Sequence, residues 1–186
     1  QGLTSIDFQS PHAVVVTGCI AAWQKLSDDH GQKGLDACLQ PAIKFAENGY
    51  PVHSVIAKAW EDNADKLATD ENSRKIFLSN GQAPKAGDIH RQPALAKTLR
   101  AIANRGEEAF YQGEIAEQIV AYLQGRGGLH TLDDFATTQA DYVKPISTNY
   151  RGHEIVECPP NGQGIIALEI FNILSEFRMR ALRPLG

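Results

Sequence analysis

YRGHEIVECPPNGQGIIALEIFNIL, residues 150–174, contains a strand, a corner and a helix within 25 positions. His153 to Cys158 is β-like. Pro159-Pro160 stops it, because proline lacks an N–H and its ring fixes φ. A short Gly-bearing turn follows, and an apolar segment with helical spacing begins near Gln163, carrying Ile166, Ile170, Phe171, Ile173 and Leu174. Just upstream, Pro145 to Asn149 is a second extended run, and Tyr150-Arg151-Gly152 reads as a hairpin or tight bend between the two. The stretch therefore predicts two short strands meeting a buried helix that runs to Phe177.

The rest of the chain is rich in helix. Leu35 to Asn48 places Leu35, Cys38, Leu39, Ala42, Ile43 and Ala46 at one helical spacing, with Pro41 predicting a kink or short break and Asn48-Gly49 the stop. Cys19 to Leu26, with Ile20, Trp23 and Leu26 three apart, predicts a helix ending by Gly31. Val52 to Leu67 predicts another, its Val55, Ile56, Ala59, Trp60 and Leu67 on one face and Lys58, Glu61, Asp62 and Asp65 solvated on the other. Gln92 to Asn104 opens with Pro93 in the favoured first turn. Glu107 to Tyr111 is a helical turn, and Gly113 to Leu123 predicts a helix with Ile115, Ile119, Tyr122 and Leu123 inward. Thr131-Leu132-Asp133-Asp134 has the form of a capping box. Asn72 to Leu78 is ambiguous, and residues 79–88 are a turn-rich connection. Near the start, PHAVVVT at 11–17 predicts a strand covered on both faces. Strands are thus expected only near the two ends, and the fold class is α+β.

Composition narrows the function classes. The 186 residues suit one domain or part of a larger one, and 42% hydrophobic content is enough for a core. A formal charge of −4 gives no electrostatic reason to expect nucleic acid. The one basic cluster, Arg178, Arg180 and Arg183, is short. No apolar run approaches the roughly 20 residues that span a bilayer, so no membrane partner is expected, and QGLTSIDFQS has neither the charged nor the apolar region of a signal peptide. Cys19, Cys38 and Cys158 lack C-x-x-C spacing and read as small buried side chains. The six histidines are scattered, and none sits at H-E-x-x-H spacing. Neither a metal nor a cofactor is expected.

Three groups of residues invite a catalytic reading. Gly162-Gln163-Gly164-Ile165-Ile166-Ala167 fits G-x-G-x-x-A, which brings a backbone close to pyrophosphate at a helix N-terminus. That use also needs a second strand and an acidic residue about 20 positions on, whereas the sequence runs into Arg178-Met179-Arg180. A structural corner is the better reading. Thr137-Thr138 offers hydroxyls, but a threonine nucleophile needs a base in reach, and in N-terminal nucleophiles that base is the residue's own amine. His153 lies beside Glu154 and near Glu157, yet neighbours along a strand point to opposite faces. No residue is assigned as catalytic, none as a metal ligand, and the substrate-binding residues are left unassigned.

The order of motifs carries more than any one of them. VTGCIAAW at 16–23, LQPAIKFAENGYPV at 39–52, GDIHRQPALAKTL at 87–99, AFYQGEIAEQIV at 109–120, GGLHTLDDF at 127–135 and YRGHEIVECPPNGQG at 150–164 follow one another. In that order and at those spacings they resemble the large-subunit region of the γ-glutamyltransferase (γ-glutamyltranspeptidase) family, over about residues 12–177, with 178–186 a divergent tail. The resemblance implies an N-terminal nucleophile hydrolase fold, a sandwich of two sheets between helical layers. It also implies a precursor that cuts itself in two, the small-subunit half being this segment's partner. The new N-terminal threonine of that half attacks the γ-glutamyl amide of a small molecule such as glutathione. It suggests a periplasmic or secreted protein and leaves a cytoplasmic one open.

The departures matter as well. The T-T-H-rich nucleophile motif of the family has no counterpart here, since Thr138 is followed by Gln139. The arginine that grips the substrate carboxylate belongs upstream of the matched part. Val16-Thr17-Gly18-Cys19 replaces V-P-G-T, and Asn161-Gly162 stands where the family has a proline or serine. An incomplete segment of such an enzyme, inactive alone and exposing apolar sheet-facing surface, is the reading these features support. Another amidase of the same fold, an acylase or an oxamate-type amidase, is one alternative; a non-catalytic helical interaction module is the other.

Overall fold

The computed structural model describes residues 2, 4–7 and 9–181, so the tail beyond Ala181, including Arg183, lies outside the described residues. The chain divides into two compact units, one up to Ala140 and one from Asp141.

The first unit is built from helices: α1 (Cys19–His30), α2 (Leu35–Asn48), α3 (Ser54–Asp62), α4 (Ala64–Ala68), α5 (Glu71–Phe77), α6 (Pro93–Arg105), α7 (Glu108–Tyr111), α8 (Glu114–Gln124) and α9 (Leu132–Ala136). Two antiparallel two-residue strands, β1 (Tyr50–Pro51) and β2 (Ile89–His90), pair between them. The core joins Ile20 and Ala21 of α1, Leu39 and Ile43 of α2, Ile102 of α6, Tyr111 of α7, Val120 of α8 and Phe135 of α9. Burying a branched aliphatic side chain contributes about 1.5–3 kcal/mol, so this convergence of five helices and a helical turn is the main stabilising feature.

Several expectations are corrected here. Residues 11–17 form no strand: Pro11–Ala13 is a 3-10 helix capped by Ser10, and Val14 and Val15 are exposed. β-branched residues favour extended backbone, but no strand lies beside them among the described residues. Val52 is buried ahead of the helix, which starts at Ser54 under a His53 cap and breaks at Asn63. Helix α2 continues through Pro41. Its buried stripe is Leu39, Ile43 and Ala46, narrower than the periodicity suggests, and Cys38 lies outside it. On α8 the buried residues are Ala116, Val120 and Leu123, with Tyr122 largely exposed. The capping box at Thr131 is present as expected, Thr131 and Asp134 each accepting the other's backbone N–H.

The residue at the N-cap of α1 is Gly18, which has no side chain to cap it. Tyr111 does that work from α7: its buried hydroxyl donates to the Thr17 carbonyl at 2.7 Å and accepts the Ala21 N–H at 3.2 Å. The phenol thereby satisfies one of the orphan amides of the first turn, and burial raises its pKa. A similar device anchors α5. Asp70 caps it by accepting the Ser73 N–H, and also takes the Tyr122 hydroxyl and Arg126 of the α8 region. These contacts, the Ser73 amide first, hold its carboxyl down to about 2.

The second unit is a hairpin, β3 (Ile146–Tyr150) and β4 (His153–Glu157), with α10 (Gly164–Ser175) against it. The register pairs Tyr150 with His153 and Ile146 with Glu157. Arg151 and Gly152 form the turn at φ of 53° and 87°, the left-handed pair that matches strand twist in a two-residue hairpin. Tyr150 and Phe171 pack ring to ring at 5.0 Å. Helix α10 is apolar nearly all round, and Ile170 and Ile173 are 49% and 61% exposed, as is much of Val156 on β4. The apolar surface expected of an incomplete sandwich is present on this unit.

Candidate functional site

The corner between β4 and α10 is built by close approach. A Cβ at Gly164 would lie 2.7 Å from the Cys158 carbonyl oxygen and 2.9 Å from Glu157 Cβ, so the helix begins pressed against the strand it follows. Neither Gly162 nor Gly164 has a positive φ, and a Cβ at Gly162 would meet nothing within 4 Å. Only one glycine of the G-x-G pair is sterically required, and it serves helix-to-strand packing.

The other groups singled out in the sequence are placed as follows. Thr137 and Thr138 donate their hydroxyls to the carbonyls of Asp133 and Asp134, at 2.7 and 2.8 Å. This is back-bonding at a helix end, and among the described residues neither hydroxyl is hydrogen-bonded to a base. His153 and Glu154 are exposed, and Glu154 accepts a hydrogen bond from Ser147 across the hairpin at 2.9 Å. His153 and Glu154 belong to the second unit and the two threonines to the first. All three cysteines are free and exposed, against the expectation of burial. Cys19 opens α1 and Cys158 follows β4, positions at element ends that packing leaves uncovered. Among the described residues no group of three His, Cys, Asp or Glu is placed to hold a metal, and no helix is long and apolar enough to cross a membrane.

One residue escaped the sequence reading. His90 on β2 is only 8% exposed and sits in a box of aromatic rings: Tyr50 edge-on at 5.8 Å, Trp60 edge-on at 4.8 Å and Phe77 stacked at 6.1 Å. Its Nε2 is buried without a partner among the described residues. Burial holds the imidazole below its ordinary pKa. The alternation Ile89-His90-Arg91 beside a Pro-containing partner strand was the available signal, too short to register as a strand.

A histidine whose folded pKa is depressed leaves the unfolded chain binding more protons, so its contribution is complete above the unfolded value of 6.5 and is lost as pH falls below it. Wild-type protein is expected to lose stability between pH 6.5 and 5 faster than His90→Phe, measured by urea midpoints at each pH. Equal slopes would show that the box does not disfavour the charged ring.

A family model described as Gamma-glutamyltranspeptidase matches residues 1–184. Among curated proteins, the chain is 36% identical over 165 residues to the Glutathione hydrolase-like YwrD proenzyme of Bacillus subtilis, covering 89% of this chain and 31% of that protein. Among solved structures it is similar to the gamma-glutamyltranspeptidase of Helicobacter pylori, with a TM-score of 0.87 and 30% identity over 97% of this chain and 52% of that one. It is also similar to the cephalosporin acylase of Bacillus halodurans, with a TM-score of 0.78 and 41% identity over 85% of this chain and 31% of that one. The chain spans less than a third of the length of the curated relative.

Proposed function

We propose a function from one premise: the chain belongs to the gamma-glutamyltranspeptidase family. The family is enzymatic, its curated relatives being glutathione hydrolases and acylases, and the α+β fold is that of its N-terminal nucleophile hydrolases. On this reading residues 1–186 are a large-subunit segment of a precursor whose other half completes the enzyme. The parent protein transfers or hydrolyses the γ-glutamyl group of glutathione-like amides. A threonine freed by chain cleavage attacks the amide carbonyl while its own α-amine takes the hydroxyl proton and passes it to the departing amine as the C–N bond breaks; water or an acceptor amine then takes the acyl group from the threonine oxygen. The observation that carries this assignment is the match across nearly the whole segment, combined with Thr137 and Thr138 being tied to helix carbonyls.

The test uses γ-glutamyl-p-nitroanilide. The 186-residue chain is expected to release nitroaniline no faster than buffer, and the intact precursor to release it in step with self-cleavage. Turnover by the chain alone would overturn the assignment of the nucleophile to the other half. A second reading, an acylase-type amidase, is supported by the 41% identity to the cephalosporin acylase. Preference of the intact protein for a glutaryl β-lactam amide over the γ-glutamyl anilide would select it.

A further inference from the structure

The β1–β2 pair has two outer edges, and they differ. The Val52 N–H donates to the Asp88 carbonyl at 2.9 Å, and the register continues through Pro51 opposite Ile89 to Tyr50 opposite His90. Antiparallel pairs alternate between hydrogen-bonded and non-bonded positions, so Ile89 is at a non-bonded position and its N–H and C=O face away from β1. Arg91, two residues on, faces the same way, while the Gln92 N–H returns inward to the Ala46 carbonyl. On β1 the matching outward position is Pro51, which has no N–H to offer. Proline at an edge is a common block to further pairing. The β1 edge is closed in this way, and among the described residues no strand pairs with the β2 edge.

Beside that open edge lies a hollow of about 680 Å³, lined on one side by Asp88 to Arg91 and on the other by Lys75 to Asn80 and Gln82 to Lys85. Its charge is one-sided. Lys85 and Arg91 have no ion-pair partner among the described residues, whereas Lys75 pairs with Glu71. The one acidic side chain of the lining, Asp88, accepts the Lys85 backbone N–H at 2.8 Å. Two unpaired cations beside a strand edge, Lys85 in the loop before β2 and Arg91 just after it, repel a basic segment and favour carboxylates.

We infer that the outer edge of β2 is an acceptor for one extended acidic polypeptide segment, added as a third strand. Its backbone pairs with Ile89 and Arg91, and its carboxylates meet Lys85 and Arg91. Strand addition of this kind takes affinity from main-chain hydrogen bonds and selectivity from alternate side chains.

The experiment titrates the ¹⁵N-labelled 186-residue chain with a capped peptide alternating glutamate and valine, followed by NMR. The amide signals of Ile89 and Arg91 are expected to shift together and to exchange with solvent about tenfold more slowly. Arg91→Gln should weaken binding about fivefold. Ile89→Pro, which removes the outward N–H and no hydrogen bond to β1, should abolish it, whereas Ile89→Val, which keeps that N–H, should bind as wild type does. Unmoved Ile89 and Arg91 signals at millimolar peptide would overturn the inference. So would equal binding of a lysine–valine peptide, or free glutamate moving the same signals as far as the peptide, which would make the hollow a small-anion site.

Discussion

Replacing Gly49 by alanine is expected to destabilise the first unit by about 2–6 kcal/mol, from about 1–3 of backbone strain and about 1–3 of overpacking. Gly49 ends α2 at φ 85°, ψ 169°. This is not the left-handed helical conformation that asparagine also tolerates, but a region open essentially to glycine alone. Space is equally restrictive. An added Cβ would lie 2.5 Å from Ile89 Cγ2, 2.7 Å from Arg91 Cγ and 2.8 Å from the His90 carbonyl oxygen. The last of these is backbone and cannot swing aside. Gly81→Ala separates the two contributions, because Gly81 has a φ of 79° with nothing within 4 Å of its Cβ position. It should cost only about 1–3 kcal/mol, the backbone strain without the overpacking. Urea titration followed by circular dichroism measures both; equal midpoints for the two variants would show that crowding against β2 contributes nothing.

Gly164→Val should be the most damaging change in the second unit, by about 2–4 kcal/mol. The backbone there is unstrained, so the cost is steric, and part of it is offset by the better helix propensity of valine or alanine over glycine. Gly164→Ala should therefore cost less than valine, and Gly162→Ala should be within about 0.5 kcal/mol of wild type. The contrast is diagnostic. A phosphate-cradling loop would need both glycines, whereas a packing corner needs only the one facing Cys158 and Glu157. Comparable losses at 162 and 164 would reopen the ligand-loop reading.

The strongly periodic helices, the hairpin and the capping box were legible because each is specified locally. Leu39, Ile43 and Ala46 repeat at helical spacing, and Arg151-Gly152 can turn a hairpin without help from elsewhere. The failures all depend on neighbours distant in sequence. Val14 to Val16 have strand propensity but no strand to pair with among the described residues. Strands β1 and β2 are too short to show a period, and they exist because Gly49 lets residue 50 approach residue 90. The outward face of Cys38 is set by how α2 meets α6, which periodicity does not report. The corner and the threonines could be judged from spacing and chemistry, and their geometry agrees. His90 could not, since its aromatic box is assembled from β1, α3 and α5.

The phenol of Tyr111 has a consequence for the order in which the chain can fold. It caps the Ala21 amide across 90 residues and the Thr17 carbonyl across 94. Contacts of such separation form late, because closing the intervening loop costs entropy before the contact returns anything. During synthesis, α1 leaves the ribosome long before its cap exists, and its first turn stays frayed in the meantime. The beginning of the chain is thus completed only after α7 has been made, so a pause or truncation anywhere before Tyr111 leaves the opening helix unfinished.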